Sequence, residues 1–238
     1  MPLFRKWMEW RRQGGVAGRA TAGQGLEGCV LNAYRVIDEK TWKRAAHCRV
    51  FRNSVEPSFC VTFALDVTDF REKIRQQGLS FTLAMVYAAC RCANDIEEFR
   101  YRFLDGKVVL FEKIDTAFTY LRPDTGLFKV VTVPMRDTLQ EYVKLAAQTA
   151  KQQREYFTGP LGKDVFQCSP LPWISYTHIS HTISGQKDNS TPLFDWGKYQ
   201  EKAGRVEMPF SVQAHHSFVD GLHVGRLAER LQAYLDAY

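Results

Sequence analysis

The sequence predicts an α/β (α+β) fold in which a mixed β-sheet is flanked by helices. Apolar residues alternate with the strand period over residues 59–67, and again where Phe210, Val212 and Ala214 take one face and Ser211 and Gln213 the other. The helical period replaces this over residues 139–156 and at Leu227, Leu231 and Leu235. Strand and helix patterns alternate irregularly with several hairpin signals, and that mixture suggests a mixed sheet with helices against it.

The elements follow in order. Residues 41–51 (TWKRAAHCRVF) have helical character. After the strand at 59–67, Thr68 is placed to cap a helix that runs to about Gln77 and stops at Gly78. Residues 81–93 (FTLAMVYAACRCA) read as a helix buried on most sides. Residues 100–104 and 107–111 alternate around Asp105-Gly106, a strong hairpin signal. Two further strands, 117–121 and 127–133, flank the Arg122-Pro123-Asp124-Thr125-Gly126 turn. The helix at 139–156 ends before Gly159-Pro160.

A chain of 238 residues can bury a full core. We divide it at residue 33. Residues 1–33 hold six of the sixteen glycines, five basic residues against two acidic ones and no lasting core period. They read as a disordered extension, with a transit-like peptide or a surface-seeking helix as competing readings, and residues 34–238 form the folded domain. The net charge of +6 includes no clustered basic face in that domain, so nucleic acid is not an expected partner. No apolar run approaches a membrane span. The six cysteines have no zinc or redox spacing and read as buried free thiols in a reducing cytoplasm. His178 and His181 have no further ligand at metal spacing; they read as exposed loop histidines, and no metal is expected.

The chemistry concentrates in FSVQAHHSFVDGLHVGR, residues 210–226. His215 and His216 stand where a strand hands over to a helix. Asp220 falls in or near the first helical turn, where a carboxylate suits the dipole and can cap free N–H groups. An imidazole at a strand end, four residues before a fixed carboxylate, is a place for a general base. It is equally a place for packed, hydrogen-bonded histidines.

HHSFVDGLHVGR closely resembles the HHxxxDG signature of chloramphenicol acetyltransferases, and the likeness extends from about residue 37 to the C-terminus. Trp42, Arg44 and His47 match that family's Trp-x-Arg-x-x-His segment. Ser169, Pro172 and Trp173 match its Ser-x-x-Pro-Trp, and Lys198-Tyr199 ends a matching Gly-Lys-Tyr. The resemblance implies the family's two-layer fold and an acetyl-CoA-dependent O-acetyltransferase that inactivates chloramphenicol. It also implies a homotrimer with active sites at the subunit interfaces. His216 would be the general base, Ser169 the oxyanion donor, and Arg44 the ion-pair partner of Asp220. Trp173, Lys198 and Tyr199 would line coenzyme A, and Phe59 the acceptor. His223, in the motif's tail, packs against the helix start rather than reacting.

Two positions depart from the family pattern. Ser80 stands where relatives usually carry a lysine for coenzyme A, and Asp195 where they usually carry threonine. These departures keep two other readings open: a related acyl-CoA transferase with a different hydroxyl or amine acceptor, and a non-catalytic trimeric scaffold.

Overall fold

The computed structural model describes residues 24–25, 29–159, 161–181 and 188–238. Most of the expected N-terminal extension lies outside the described residues. Within it, strands β1 (Gln24–Gly25) and β2 (Cys29–Val30) form a short antiparallel ladder. Asn32 meets the domain itself: its backbone N–H donates to Asp164 Oδ2 at 2.8 Å and its side chain to Asp115 Oδ2 at 2.9 Å.

A seven-stranded mixed sheet organises the domain. Its middle is β12 (Arg205–His215), whose eleven residues alternate inward and outward. One edge of β12 pairs antiparallel with the whole of β4 (Ser58–Asp66), Glu207 facing Asp66 and His215 facing Ser58. Along the other edge lie β10 (Leu193–Trp196) and β11 (Gln200–Lys202) in succession. Beyond β10 come β9 (Val165–Cys168), β7 (Asp115–Leu121) and β8 (Phe128–Val133), with β9 parallel to both of its neighbours. A second sheet of three strands holds β3 (Tyr34–Val36), β6 (Lys107–Phe111) and β5 (Tyr101–Leu104). The β5–β6 hairpin turns at Asp105 (φ 48°) and Gly106 (φ 76°), the left-handed pair that a two-residue loop requires.

The helices are α1 (Ala45–Arg52), α2 (Thr68–Gln76), α3 (Phe81–Asn94), α4 (Leu139–Gln152) and α5 (Gly221–Ala237). Ten residues of α3 are buried, in keeping with its unbroken apolar sequence. Ser80 caps this helix, its Oγ accepting from Leu83 N–H at 3.4 Å. Phe194, Phe210, Val212 and Met208 turn to the core face of the large sheet and are fully buried. Arg102 is also fully buried, with its guanidinium donating to the carbonyls of Phe99, Tyr101, Lys163 and Val165. Burial lowers its pKa to about 9, with Asp164 acting against that, so it keeps its charge at neutral pH.

Several boundaries differ from the sequence expectation, β12 beginning at Arg205 and β7 at Asp115 among them, and three of the differences have a local reason. The first helix starts at Ala45, not Thr41, because Thr41 and Trp42 turn back onto the Asp38 carbonyl. Thr68 is the first residue of α2 rather than its cap: Asp66 Oδ1 accepts from Thr68 N–H at 3.0 Å, while Thr68 Oγ1 accepts from Val206 N–H at 2.8 Å. Helix α4 ends at Gln152 because the buried Lys129 ammonium takes the carbonyls of Ala150 and Gln153.

Gly197 lies where β10 leaves the sheet beneath the 170s loop. A Cβ there would stand 2.7 Å from the Ile174 carbonyl oxygen and 2.9 Å from Pro209 Cγ. Backbone cannot yield cheaply, so Gly197→Ala should lower the unfolding free energy by about 1–3 kcal/mol in denaturant titration.

Candidate active site

The two histidines at the end of β12 have separate fates. His215 is buried; its Nδ1 accepts from Ser217 N–H at 3.2 Å, and its ring meets Phe103 and Phe218. His216 is half-buried, stacked on Phe51 with centroids 3.9 Å apart and an interplanar angle of 11°. Phe59 leans on the same ring at 4.7 Å. His216 Nδ1 lies 3.1 Å from the Val219 carbonyl oxygen. A carbonyl can only accept, so in the neutral ring the proton sits on Nδ1 and the lone pair on Nε2. That is the protonation state a general base needs.

The turn carrying His216 is tied down from α1 and the strand behind it. His216 N–H donates to the Pro57 carbonyl at 2.8 Å, and Ser217 Oγ donates to the Cys48 carbonyl at 3.1 Å. Arg44 Nη1 reaches Asp220 Oδ2 at 3.0 Å, with side chains only 15% and 29% exposed. Asp220 Oδ1 caps α5 by accepting from Leu222 N–H at 3.1 Å, and Asp220 N–H donates to His223 Nδ1 at 3.1 Å. His223 Nε2 faces Glu98 Oε1 at 3.4 Å, so this histidine belongs to the helix cap, as its place in the motif suggested. Burial works against the Asp220 charge. The Arg44 hydrogen bond, the His223 and Arg44 charges and the Leu222 N–H outweigh it and hold the carboxyl below its ordinary range.

Ser169, Trp173, Lys198 and Tyr199 gather at another part of the sheet. Ser169 N–H donates to the Phe194 carbonyl at 2.9 Å just past β9, and Lys198 N–H to the Ile174 carbonyl at 2.8 Å. Trp173 and the neighbouring Ile174 are 67% and 58% exposed, large apolar surfaces left open on the 170s loop. The Tyr199 ring meets Phe81 edge-on at 5.9 Å and carries the Arg71 guanidinium 4.7 Å from its centroid. Asp195 is fully buried on β10, and His181 Nε2 contacts its Oδ2 at 2.8 Å. His181 is therefore half-buried and paired, not the exposed loop histidine expected; His178 is exposed.

These two groups do not meet within one chain. The β9 and β10 registers put Ser169 level with Asp195, and Asp195 faces Ser211 on β12. His216 follows His215, four residues farther along β12, so the base and the serine are offset by at least about 13 Å along the strands.

The family model described as chloramphenicol acetyltransferase matches residues 32–232. The chain belongs to that family. Chloramphenicol acetyltransferase 2 of Escherichia coli is 31% identical over 204 residues, covering 84% of this chain and 96% of that protein. A solved chloramphenicol acetyltransferase superposes with a TM-score of 0.79 at 27% identity, over 85% of this chain and 100% of the other. The dihydrolipoamide acetyltransferase of Azotobacter vinelandii superposes with a TM-score of 0.59 at 18% identity, over 80% and 86% of the two chains, a likeness of fold alone.

The chain is thus an acyltransferase of the chloramphenicol acetyltransferase type. Sequence reading missed several of the side chains that build its His216 turn. Phe51 reads as an ordinary helical apolar residue, and its offset from His216 gives no signal. Ser217 lies inside the motif, but its partner Cys48 is 169 residues away. Arg71 also passed unnoticed, because nothing local ties it to Tyr199.

The Asp220 environment has a sign that can be tested. Its depressed folded pKa gives stability that is present above the unfolded value, near pH 3.9, and lost as pH falls through the folded value. Asp220→Asn keeps the cap but not the charge. At neutral pH it should cost about 1–2 kcal/mol, below the full range for charged hydrogen bonds because Asp220 keeps some solvent contact. That cost should shrink below about pH 4 when unfolding is followed across pH.

Proposed function

We propose that this protein transfers the acetyl group of acetyl-CoA to a hydroxyl of chloramphenicol, with His216 as general base. The observation that carries the reading is the Val219 carbonyl on His216 Nδ1, which leaves Nε2 free to take a proton, on a turn anchored by Arg44 and Asp220. His216 Nε2 removes the acceptor's hydroxyl proton as its oxygen bonds to the acetyl carbonyl carbon. Ser169 Oγ–H donates to the resulting oxyanion. When the carbon–sulfur bond breaks, the protonated His216 returns its proton to the thiolate, leaving the acetyl ester and free coenzyme A. Asp220 stays ionised throughout and holds the turn. Direct transfer suits the site, since the Cys48 thiol beside the turn is buried and held protonated by its burial.

The offset between His216 and Ser169 supports a homotrimer in which one subunit supplies the base and its neighbour the oxyanion donor. Phe59, against the His216 ring, would contact the acceptor. Trp173, Lys198 and Tyr199 would take coenzyme A, the exposed Lys198 ammonium near phosphate and the rings against adenine. Arg71, stacked on Tyr199 and one ring away from Phe81, would supply the cation that Ser80 does not. A coenzyme A substrate and buried free thiols at Cys48, Cys90, Cys92 and Cys168 agree with a cytoplasmic protein. Among the described residues no helix is long and apolar enough to cross a membrane. Residues 1–33 we assign to an extension outside the catalytic domain. A different hydroxyl or amine acceptor is the second reading, favoured by the buried carboxylate of Asp195.

Thiol release from acetyl-CoA with chloramphenicol tests the reaction. His216→Ala should abolish turnover, and Ser169→Ala should lower kcat by about 100- to 1,000-fold. Wild-type rates in His216→Ala would end the proposal. Mixing equal amounts of the two unfolded variants and refolding them together should restore about a quarter of wild-type activity, the share of interfaces that join an intact base to an intact serine. A site contained in one chain would recover none. Arg71→Ala should raise KM for acetyl-CoA several-fold and leave KM for chloramphenicol unchanged; equal effects on both would remove Arg71 from the coenzyme A site.

A further inference from the structure

A single peptide group stands between two histidines. Val219 supplies its carbonyl and Asp220 its N–H. Among the described residues no peptide bond is cis, so this planar unit points its oxygen and its N–H in opposite directions. On one side the oxygen lies 3.1 Å from His216 Nδ1. On the other the N–H donates to His223 Nδ1 at 3.1 Å. His223 is buried, with 6% of its side chain exposed, and its Nε2 faces Glu98 Oε1 at 3.4 Å. Glu98 lies just after α3, on the short 3-10 turn Glu97–Arg100.

The protons along this row all point one way. A carbonyl can only accept, so the neutral His216 ring donates from Nδ1 to Val219. A backbone N–H can only donate, so His223 offers Asp220 a lone pair at Nδ1 and keeps its own proton on Nε2, toward Glu98. Asp220 Oδ1 also lies 3.0 Å from His223 Nδ1, but it accepts from Leu222 N–H, and a proton on Nδ1 would confront the Asp220 N–H donor to donor. The row ends on a charge. The His223 contact first, with the Glu98 backbone N–H and the Arg44 charge behind it, outweighs the burial of Glu98 and holds its carboxyl below the ordinary range. Hydrogen bonds in series polarise one another, so a carboxylate at one end strengthens the acceptor at the other.

We propose that Glu98 and His223 are positioning residues for His216, which through the Val219–Asp220 peptide hold its proton on Nδ1 and its lone pair on Nε2. The inference rests on the acyl-transfer reading above, because that reading makes His216 the base. A planar peptide turns as a unit, so the imidazole that takes its N–H also sets the direction of its oxygen. Arg44 and Asp220 hold the turn in place; His223 and Glu98 hold the rotation of one peptide within it. When Nε2 has taken the acceptor's proton, the positive ring meets at Nδ1 an oxygen backed, across a peptide and a second imidazole, by an ionised carboxylate. A carboxylate that touches its histidine directly orients and stabilises it in the same sense. Here the support reaches the base without contact.

The test reads the ring nitrogens of isotope-labelled histidine by NMR in mildly alkaline buffer, where a free imidazole is neutral. His216→Ala and His223→Gln assign the two signals. In the wild type His216 should carry its proton on Nδ1 and His223 on Nε2. Glu98→Leu and His223→Leu should each move the His216 nitrogens toward the average of the two tautomers. A His223 proton on Nδ1, or His216 nitrogens unmoved in both variants, overturns the proposal. In the chloramphenicol assay each leucine variant should lower kcat by about 10- to 100-fold and leave both KM values unchanged. His223→Gln keeps an acceptor for Asp220 N–H and a donor for Glu98, as glutamine does at this position of a capping box, and should lose less. A loss equal to that of His223→Leu would reduce His223 to packing and also overturn the proposal. If His223→Leu does not fold, Glu98→Leu decides, since its side chain is 23% exposed. The nitrogen signals need no turnover, so absence of thiol release with every acceptor would end the reaction of the preceding subsection and leave the tautomers to decide this one.

Discussion

The ion pair between Arg44 and Asp220 is the constraint on which the rest of this structure depends. It joins residues 176 apart in sequence, one before the first helix of the domain and one at the start of the last. The Asp220 carboxylate is shared between two tasks. One oxygen caps α5 and the other holds Arg44, so the direction of that helix and the position of α1 are set by a single group. Phe51 of α1 then lies flat against His216, and the imidazole is held on one side by a ring and at Nδ1 by a carbonyl. A general base, the role proposed for His216, must keep both its tautomer and its aim, and here both derive from the same anchored turn. Two further nitrogens of Arg44, Nε and Nη2, are buried without partners. The pair is thus held by its one charged contact, with the desolvation of the remaining guanidinium set against it.

The large sheet separates the chemistry into two regions. Near the C-terminal end of β12 stand the imidazole, its aromatic walls and the ion pair. Past the C-terminal ends of β9 and β10 stand a serine, an exposed tryptophan, a lysine and a tyrosine under a guanidinium. Because β12 runs antiparallel to β10 and β9, the C-terminal ends of these strands point in opposite directions. That geometry is what supports the proposal of a site completed by a second copy of the chain.

Much of this was legible from residues alone, and the rest was not for identifiable reasons. Strand and helix periods placed β4 and α3 to within a residue and marked α5 by its leucines, because each buries one continuous face and its apolar spacing records that face; the period marks β12 only from Phe210, although it begins at Arg205. Asp105-Gly106 marked its hairpin because the turn needs left-handed backbone that few residues tolerate. The pairing of Arg44 with Asp220 came from resemblance alone; an arginine and an aspartate so far apart carry no local signal. The same holds for His181 and Asp195. A histidine among loop residues looks exposed unless one knows that a buried carboxylate on a neighbouring strand waits for it. Helix ends were misplaced where a distant side chain intervened, as Lys129 does at the end of α4.

The nine-residue ladder between β4 and β12 has a consequence for how the chain acquires this shape. Its partners are separated by some 140 to 160 positions, so β12 is made long after β4. While the chain is being synthesised, β4 lacks this mate until β12 arrives. Closing so long a loop is slow, and an open strand edge invites pairing with other molecules in the interval. The nascent polypeptide therefore passes through a stage in which its central seam is missing, and the turn bearing His216 is completed only when that seam is sewn.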